Sequence, residues 1–371
     1  MPSLSWTQVS AFRLQRHHLA CRAPRQSLVT VVGDMGGVQA QLMAAAQMSL
    51  WARVQDLTPQ DVARALTTER TLVKAWCLRG TVHLLPAEEL PVYTAAVQRS
   101  AVQATQRWLA SSGLGPEEMA IMTQAIAEAL SSGPLTSRQL AERVVAMLGA
   151  QARPWVEHSW GGAVKQACLQ GLLCFGPNQG QEVTFVRREQ WLPNLADLPV
   201  AEAETALLRR YLQSYGPATL PDFAAWTGMR VSEVLPVRQR LGDEAVEVDV
   251  EGKKALLLRQ DVAAIQAMPA DDQTVRLLPS FDAYLLGHRD KGHLVDEAHY
   301  KQVYRKAGWL SPVVLVDGRV AGVWSQARRG RRLCMMVQPF AEMTSAVRQQ
   351  IAGEAADLGR FLGATGEVTF A

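Results

Sequence analysis

Two glutamines one residue apart follow a glycine pair in the stretch GDMGGVQAQL, residues 33–42. A carboxamide has no pKa in the working range of an enzyme, so Gln39 and Gln41 are not general bases. Each amide still offers two N–H donors and an acceptor oxygen, which suits the holding of a water molecule or a polar substrate edge. These residue types therefore allow a reactant to be positioned, but they do not allow it to be deprotonated.

Whether both amides can act together depends on the backbone that carries them. On a helix, residues i and i+2 point to nearly opposite sides, whereas in an extended segment they point the same way. Gly36-Gly37 favours a non-helical start, so we expect the next helix to begin near Leu42 and both amides to reach one spot. The alternative interpretation is two ordinary glutamines on a helix surface.

Most other kinds of catalytic signature are absent from the chain. It contains no G-x-G-x-x-G, G-x-x-x-x-G-K-[ST], H-E-x-x-H or G-x-S-x-G pattern. The seven histidines do not form a ligand spacing, and the five cysteines include no C-x-x-C pair. We therefore expect no cofactor, no metal site and no disulfide framework, as befits a reducing cytoplasm.

The composition is that of a globular protein, and its excess of arginine favours phosphate binding. Apolar residues are 48% of the 371, charged residues are 20%, and the net charge is only +3. Of the 38 basic residues, 31 are arginine and 7 are lysine. Arginine is the better phosphate fork, although codon bias would give the same excess. No apolar run approaches the ~18 residues of a membrane span, and the N-terminus lacks an apolar signal region.

The elements that must position these residues follow a repeated order. In the first copy, Thr58 predicts a helix cap, and a second helix is expected to run to Gly80 with Val73, Trp76 and Leu78 on its apolar face. A short extended run, TVHLLP, follows it.

The second and third copies show the same order more clearly. Thr136 or Ser137 is expected to cap a helix, the stretch SWGGAVKQACLQGLLCFG to form another, and LCFGPNQGQEVTFVRR to form two strands. The third copy predicts helices over 220–227 and 231–241 and a hairpin about VEGKK. Helix, tight turn, helix and hairpin form the winged helix-turn-helix, a DNA-binding unit. The alternative is that some copies serve only as scaffold.

The C-terminal quarter has a strand-rich pattern. Asp317-Gly318 predicts one hairpin, and a second is expected about SQARRGRR. The tip of the second hairpin would carry Arg328, Arg329, Arg331 and Arg332, which we expect to contact DNA phosphates. The alternative is a solvated loop. The final stretch, TSAVRQQIAGEAADLGRFLG, has helical spacing and is expected to pack on the strands.

Together these patterns predict a mainly α protein with β wings, an α+β fold. The expected domains are an N-terminal region with the Gln-x-Gln segment and the first winged helix (1–110), a second winged helix (111–195), a third (196–272), and a β-rich region with the basic hairpin and terminal helix (273–371).

The segments LVKAWCLRGTVHLLP, LLPSFDAYLLGHRD and VVLVDGRVAGVW, together with Gln39-Ala40-Gln41, resemble the AlkZ-like DNA glycosylases. The resemblance covers nearly the whole chain in matching order. It implies three tandem winged helices in a C-shape, and a monofunctional glycosylase that hydrolyses the N-glycosidic bond of N7-alkylated guanine in DNA repair and self-resistance. Its substrates would include interstrand crosslinks of the azinomycin B type.

The resemblance also implies catalytic roles for Gln39 and Gln41. A related branch of the family carries Asp at the second position, where this chain has Gln41. The expected partner is double-stranded DNA with alkylated or crosslinked guanine. The protein is expected to bind it as a monomer and to be associated with the nucleoid.

Two other functions fit the same residues. A non-catalytic winged-helix regulator would need only the DNA-binding units. A bifunctional lyase would need an amine nucleophile, for which Lys74 and Lys165 have the right residue type but no supporting motif.

Overall fold

The computed structural model describes residues 1–158, 161–269 and 273–371. Within them, capping side chains fix where several helices begin. Thr136 accepts from the backbone of Gln139 and caps its helix, as predicted. The α-helices are α1 (Trp6–Arg16), α2 (Leu28–Asp34), α3 (Met43–Trp51), α4 (Pro59–Thr67), α5 (Leu90–Ser111), α6 (Pro116–Ala129), α7 (Ser137–Leu148), α8 (Arg153–Val156), α9 (Gly162–Leu169), α10 (Arg188–Trp191), α11 (Val200–Tyr215), α12 (Leu220–Thr227), α13 (Val231–Leu241), α14 (Val262–Gln266), α15 (Ala283–Leu286), α16 (Tyr300–Val303) and α17 (Ser345–Phe361).

The strands are short except in the C-terminal quarter. They are β1 (Ser3–Leu4), β2 (Val38–Gln39), β3 (Leu72–Trp76), β4 (Val82–Pro86), β5 (Leu135–Thr136), β6 (Leu173–Phe175), β7 (Thr184–Arg187), β8 (Ala245–Val250), β9 (Lys253–Leu258), β10 (Val275–Leu278), β11 (Val313–Val316), β12 (Arg319–Arg329), β13 (Arg332–Pro339) and β14 (Thr365–Phe370). The α+β fold expected from the sequence is confirmed.

The chain divides into two units that do not follow its linear order. The first unit is Met1–Val62, Arg209–Phe223 and Leu241–Ala371. The second unit is Ala63–Leu208 and Ala224–Arg240. The expected division at residues 110, 195 and 272 stays a prediction about winged-helix boundaries.

The first unit contains the larger sheet, ordered β10-β11-β12-β13-β14. Helix α17 packs against β14, β10 and β13, which confirms that the terminal helix lies on strands. A smaller sheet, ordered β1-β8-β9, covers a core that includes Leu4, Val9, Phe12 and Val248. Both predicted C-terminal hairpins form, the first with Asp317 and Gly318 at positive φ between β11 and β12.

In the second unit the expected helices and strands of the second copy are present. Helix α6 packs on α7 and α9, and β6 pairs with β7 in the sheet ordered β5-β7-β6. Leu140 and Val144 of α7 are buried, whereas Met147 is 44% exposed. The second helix predicted for this copy starts at Ser159-Trp160, which lie outside the described residues, and α9 runs from Gly162 to Leu169.

The third copy also has its expected elements along the chain. Helices α12 and α13 have the predicted bounds, and β8 and β9 form the hairpin about Glu251-Gly252. The last three residues of this predicted domain, 270–272, lie outside the described residues.

The second helix expected in the first copy is wrong. Helix α4 begins at Pro59 behind the Thr58 cap, as predicted, but Val73 and Trp76 lie in β3, which pairs with β4. Gly80 does not end an α-helix. It lies in the tight turn between the two strands, where both Arg79 and Gly80 have positive φ. The β-hairpin partner satisfies the backbone groups of this apolar run, and this tertiary pairing overrides the helical spacing.

Candidate active site

The Gln-x-Gln segment begins where two glycines stop a helix. After α2, Gly36 and Gly37 adopt φ values of 69° and 87°, a left-handed conformation that costs a residue with a Cβ about 1–2 kcal/mol. The Gly37 N–H donates to the Val32 carbonyl at 3.0 Å and closes the helix end. The chain therefore leaves α2 abruptly and enters an extended conformation.

Residues 39–41 are non-helical, as predicted. Val38 and Gln39 form β2, and Leu42 is the extended N-cap of α3 with φ −108° and ψ 99°. The two glutamine side chains consequently lie on the same side of the backbone and meet. The Gln39 Nε2 donates a hydrogen bond of 2.9 Å to the Gln41 Oε1.

The two amides differ in their access to solvent. Gln39 is only 9% exposed and Ala40 is fully buried, whereas Gln41 is exposed. Gln41 accepts from Gln39 through one lone pair of Oε1, and within the described residues it makes no further hydrogen bond. Its two N–H donors and second lone pair are thus presented at the surface. The pair can hold a polar reactant, and it exchanges no proton.

Tyr215 holds the backbone just before the glycine pair. Its hydroxyl donates to the Met35 carbonyl at 2.8 Å, and the residue is 2% exposed. The Tyr215 ring packs against His17, with centroids 4.9 Å apart. The His288 Nε2 lies 3.0 Å from the Tyr215 carbonyl oxygen. Burial lowers the pKa of His17 and of His288 well below the usual range, so both rings are neutral and the His288 Nε2–H donates to that carbonyl.

A buried ion pair holds the far end of α3. Arg53 directs two nitrogens at the Asp282 carboxylate, at 2.7 and 2.8 Å, and the Ser49 hydroxyl donates to the same carboxylate at 2.6 Å. Both charged side chains are 0% exposed. Asp282 also caps α15 by accepting from the Tyr284 N–H. The Gln-x-Gln segment thus lies between two anchored points of the first unit.

The basic hairpin separates its four arginines into different environments. Arg328 donates to the Leu362 and Gly363 carbonyls at 3.1 and 3.2 Å, where α17 ends. Arg332 lies 3.6 Å from the Glu367 carboxylate. Arg329 is exposed at the end of β12, and Arg331 is exposed in the two-residue turn. Within the described residues neither Arg329 nor Arg331 has an ion pair, so these two are the better placed to meet a phosphate.

The hairpin also touches the helix that follows the glutamine pair. The Gln326 Nε2 of β12 lies 3.7 Å from the Met48 sulfur of α3. The face of the β12–β13 ribbon is therefore physically joined to α3 inside the first unit. The sequence placed the glutamines and the arginines in separate regions, and this contact connects the elements that carry them.

Several residues of the site gave no signal in the sequence. Tyr215, Arg53 and Asp282 carry no motif of their own, although Asp282 falls in the LLPSFDAYLLGHRD segment. A partial clue was available for Asp282, since a carboxylate inside an apolar stretch needs a partner if it is buried. Its partner, 229 positions away, could not be read from the spacing.

The metal-ligating residue types, the cysteines and Lys74 are the other candidate reactive groups. Among the described residues, no three His, Cys, Asp or Glu side chains are grouped to hold a metal ion. Burial raises the pKa of the Cys77 and Cys174 thiols to about 12. Lys74 lies against the Phe175 ring, 4.6 Å from its centroid, and burial lowers the pKa of its ammonium. No helix within the described ranges is long and apolar enough to cross a membrane.

Comparison with known proteins identifies the family of the chain. The chain matches the family model described as DNA glycosylase AlkZ-like over residues 32–361. It is 34% identical over 368 residues to a Streptomyces sahachiroi protein named interstrand DNA cross-link repair glycosylase, with 97% of each chain covered. The solved structure of Streptomyces sahachiroi DNA glycosylase AlkZ matches with a TM-score of 0.89 and 32% identity over 100% of both chains. The chain belongs to the AlkZ-like family of DNA glycosylases.

Proposed function

We propose that this enzyme is a monofunctional glycosylase that releases N7-alkylated guanine from double-stranded DNA, including guanine held in interstrand crosslinks of the azinomycin B type. The observation that carries the proposal is the hydrogen-bonded amide pair of Gln39 and Gln41 in an extended, partly exposed segment. The name of the Streptomyces relative supports a crosslink substrate.

The chemistry needs no base in the enzyme because the substrate is already activated. Alkylation at N7 makes guanine cationic. When the bond between C1′ and N9 breaks, its electron pair moves onto the base, which leaves as a neutral molecule. The sugar becomes an oxocarbenium ion, water adds to C1′, and the proton of that water passes to solvent. The glutamines position this water, and positioning of a reactant lowers barriers by several kcal/mol.

Each amide has a distinct part in this proposal. Gln39 is nearly buried and orients Gln41 through its own N–H. Gln41, with its N–H groups and one lone pair accessible, holds the water and a sugar or phosphate oxygen. Fixed dipoles of this kind stabilise developing charge without being reorganised during the reaction.

The exposure of Gln41 also suits a crosslinked substrate. Most glycosylases reach their base by rotating it out of the duplex into a deep pocket. A guanine tied to the opposite strand cannot rotate freely in this way. A catalytic pair at the surface can act on a base that stays near the helix. We further propose that Arg329 and Arg331 contact the phosphates, and that the enzyme acts as a monomer at the nucleoid.

The double variant Gln39→Ala/Gln41→Ala tests the assignment. A duplex with a single N7-methylguanine is incubated with each protein, and abasic sites are counted after cleavage by alkali at low temperature. The double variant should lose base release and should keep its DNA affinity within a few fold. Gln47→Ala, a glutamine of α3 outside the pair, is the matched control and should release base like the parent.

Two results would contradict the proposal. Release by the double variant at the parent's rate would remove the glutamines from catalysis. Trapping of a protein–DNA adduct by borohydride would replace the monofunctional mechanism with a lyase. A second arm with a crosslinked duplex, read as separation of the strands on a denaturing gel, tests the crosslink substrate independently.

A further inference from the structure

The second unit contains a cleft of about 710 Å3 that the glycosylase mechanism does not use. Its walls come from the turn between β3 and β4, one face of α5, the first turn of α9 and the turn that follows α12. All of its described lining residues belong to the second unit.

One wall of the cleft is a run of small residues that ends in an indole. Ala101, Ala104, Thr105 and Trp108 follow one another at intervals of three, one and three residues, which places them on a single face of α5. The small side chains leave open space along about 10 Å of helix. Trp108 is 40% exposed at the end of this wall, and its edge contacts the His158 ring, with centroids 4.9 Å apart.

The lining of the cleft is also cationic. Arg79 and Lys165 line it, and no Asp or Glu occurs among its described lining residues. Lys165 is half-buried and forms no ion pair with any described residue. It lies in the first turn of α9, where the helix dipole does not stabilise a cation. Burial lowers the pKa of its ammonium. An anion in the cleft would offset this desolvation.

A ligand that matches this lining must have both an anionic group and a flat ring. A nucleotide has this form, because indole rings stack on any base and a lysine ammonium is a common phosphate partner. Other flat anions meet the same description, but a DNA glycosylase works on nucleotides. Nucleotides lose their pairing partners wherever a lesion disturbs the duplex.

We propose that this cleft binds one unpaired nucleotide of a DNA strand, with its phosphate at Lys165 and its base stacked on Trp108. Arg79, whose guanidinium donates to the Trp226 carbonyl, adds positive charge beside the phosphate. The proposal rests on membership of a DNA glycosylase family, and it does not depend on the roles given to Gln39 and Gln41. It adds a second contact, one that recognises disturbed duplex.

The test uses 2-aminopurine, an adenine analogue whose fluorescence falls when it stacks. It is placed in undamaged DNA at an unpaired position inside a bulged duplex, and at a paired position in a matched full duplex. A third arm uses the free 2-aminopurine deoxynucleotide. Binding of the parent protein should quench the bulged probe and leave the paired probe nearly unchanged. Quenching of the free nucleotide alone would show a site for small nucleotides and would overturn the strand proposal.

Three variants separate the cleft from general DNA binding. Trp108→Ala and Lys165→Met should each weaken binding of the bulged duplex by about 5- to 100-fold, the range expected for loss of one stacking or phosphate contact. Their affinity for the full duplex should stay within about twofold of the parent. Trp108→Leu keeps an apolar side chain for folding and should still lose the quenching.

Arg107→Ala is the matched control, since Arg107 is an exposed cation next to Trp108 on α5. It should preserve both the quenching and the preference for bulged DNA. Equal quenching by the parent and Trp108→Ala, or equal losses on bulged and full duplex, would overturn the proposal. Because no damaged base is present, neither result depends on glycosylase activity.

Discussion

The hydroxyl of Tyr215 donates a hydrogen bond of 2.8 Å to the carbonyl oxygen of Met35, one residue before the glycine pair that leads to Gln39. Tyr215→Phe removes this bond and keeps the ring packing. We expect the free energy of unfolding to fall by about 1 kcal/mol and the rate of base release to fall by up to about 100-fold, because small displacements of reacting groups are costly.

The loss of rate should appear in kcat, with little change in the KM for DNA, since Tyr215 positions the segment and does not bind substrate. Tyr300→Phe is the control, because Tyr300 is 42% exposed. A loss of stability with a parent-like kcat would show that the contact is only structural.

Gln41→Glu tests whether the second amide is where a carboxylate could assist. A glutamate has a pKa of about 4.3. The ratio of the variant rate to the parent rate should therefore decrease when the pH is lowered past about 5, because the carboxylate becomes protonated. The parent amide gives no such step. Taking the ratio at each pH cancels any loss of folded protein that both share. A ratio that stays constant between pH 4.5 and 8 would contradict assistance by a carboxylate at this position.

The arginines of the hairpin should separate into two classes. A plot of log K for DNA binding against log salt concentration has a negative slope. Arg329→Gln/Arg331→Gln should make this slope less steep by about 2, since each phosphate contact contributes about 0.9 to its magnitude. Arg328→Gln should instead loosen the end of α17, because it loses hydrogen bonds to two carbonyls, and should change the slope less. Fluorescence anisotropy of labelled DNA between 50 and 300 mM salt measures the slope for both variants. An unchanged slope in the double variant would mean that the tip faces solvent.

Buried neutral histidines should make the fold sensitive to acid. Burial lowers the pKa of His83 to about 3, that of His293 to about 2, and those of His17 and His288 well below the usual range. Below about pH 6.5 these histidines bind protons in the unfolded chain but not in the folded chain. Their contribution to the free energy of unfolding is therefore fully present above pH 6.5 and is lost as the pH falls. Each histidine should contribute a loss of about 1.4 kcal/mol by pH 5.5.

Urea unfolding at pH 7.5 and 5.5 measures this loss. In the parent, the His293 ring stacks on Trp6 with centroids 5.0 Å apart and nearly parallel planes. His293→Phe keeps a ring in this position and should show a smaller loss than the parent. His299→Phe, whose ring stacks on Phe340, controls for the change of residue type. The same loss in His293→Phe as in the parent would mean that His293 does not report the change of pH.

Local signals in the sequence predicted the local parts of this site. Gly36-Gly37 alone was enough to place Gln39 and Gln41 in a non-helical segment, because left-handed backbone is a property of those two residues. The first copy's second helix was mispredicted since the run from Leu72 to Trp76 has apolar residues at both helical and strand spacings, and only pairing with β4 decides between them.

The anchors of the segment could not be predicted in this way. Tyr215 lies 180 positions from Met35, and Asp282 lies 229 positions from Arg53. Neither pair has a spacing or a motif, and each exists only because the chain brings distant segments into one core. Arg328 illustrates the same limit, since the pattern of charges did not reveal that it closes the end of α17.

Because solvent reaches neither Arg53 nor Asp282, mobile ions cannot enter the space between guanidinium and carboxylate to screen their attraction. Concentrated salt should therefore detach the enzyme from its substrate while leaving the catalytic segment assembled. Activity lost at high ionic strength should return at once on dilution, without the lag that refolding would impose. Dissociation by salt is thus a reversible means of turning the enzyme off.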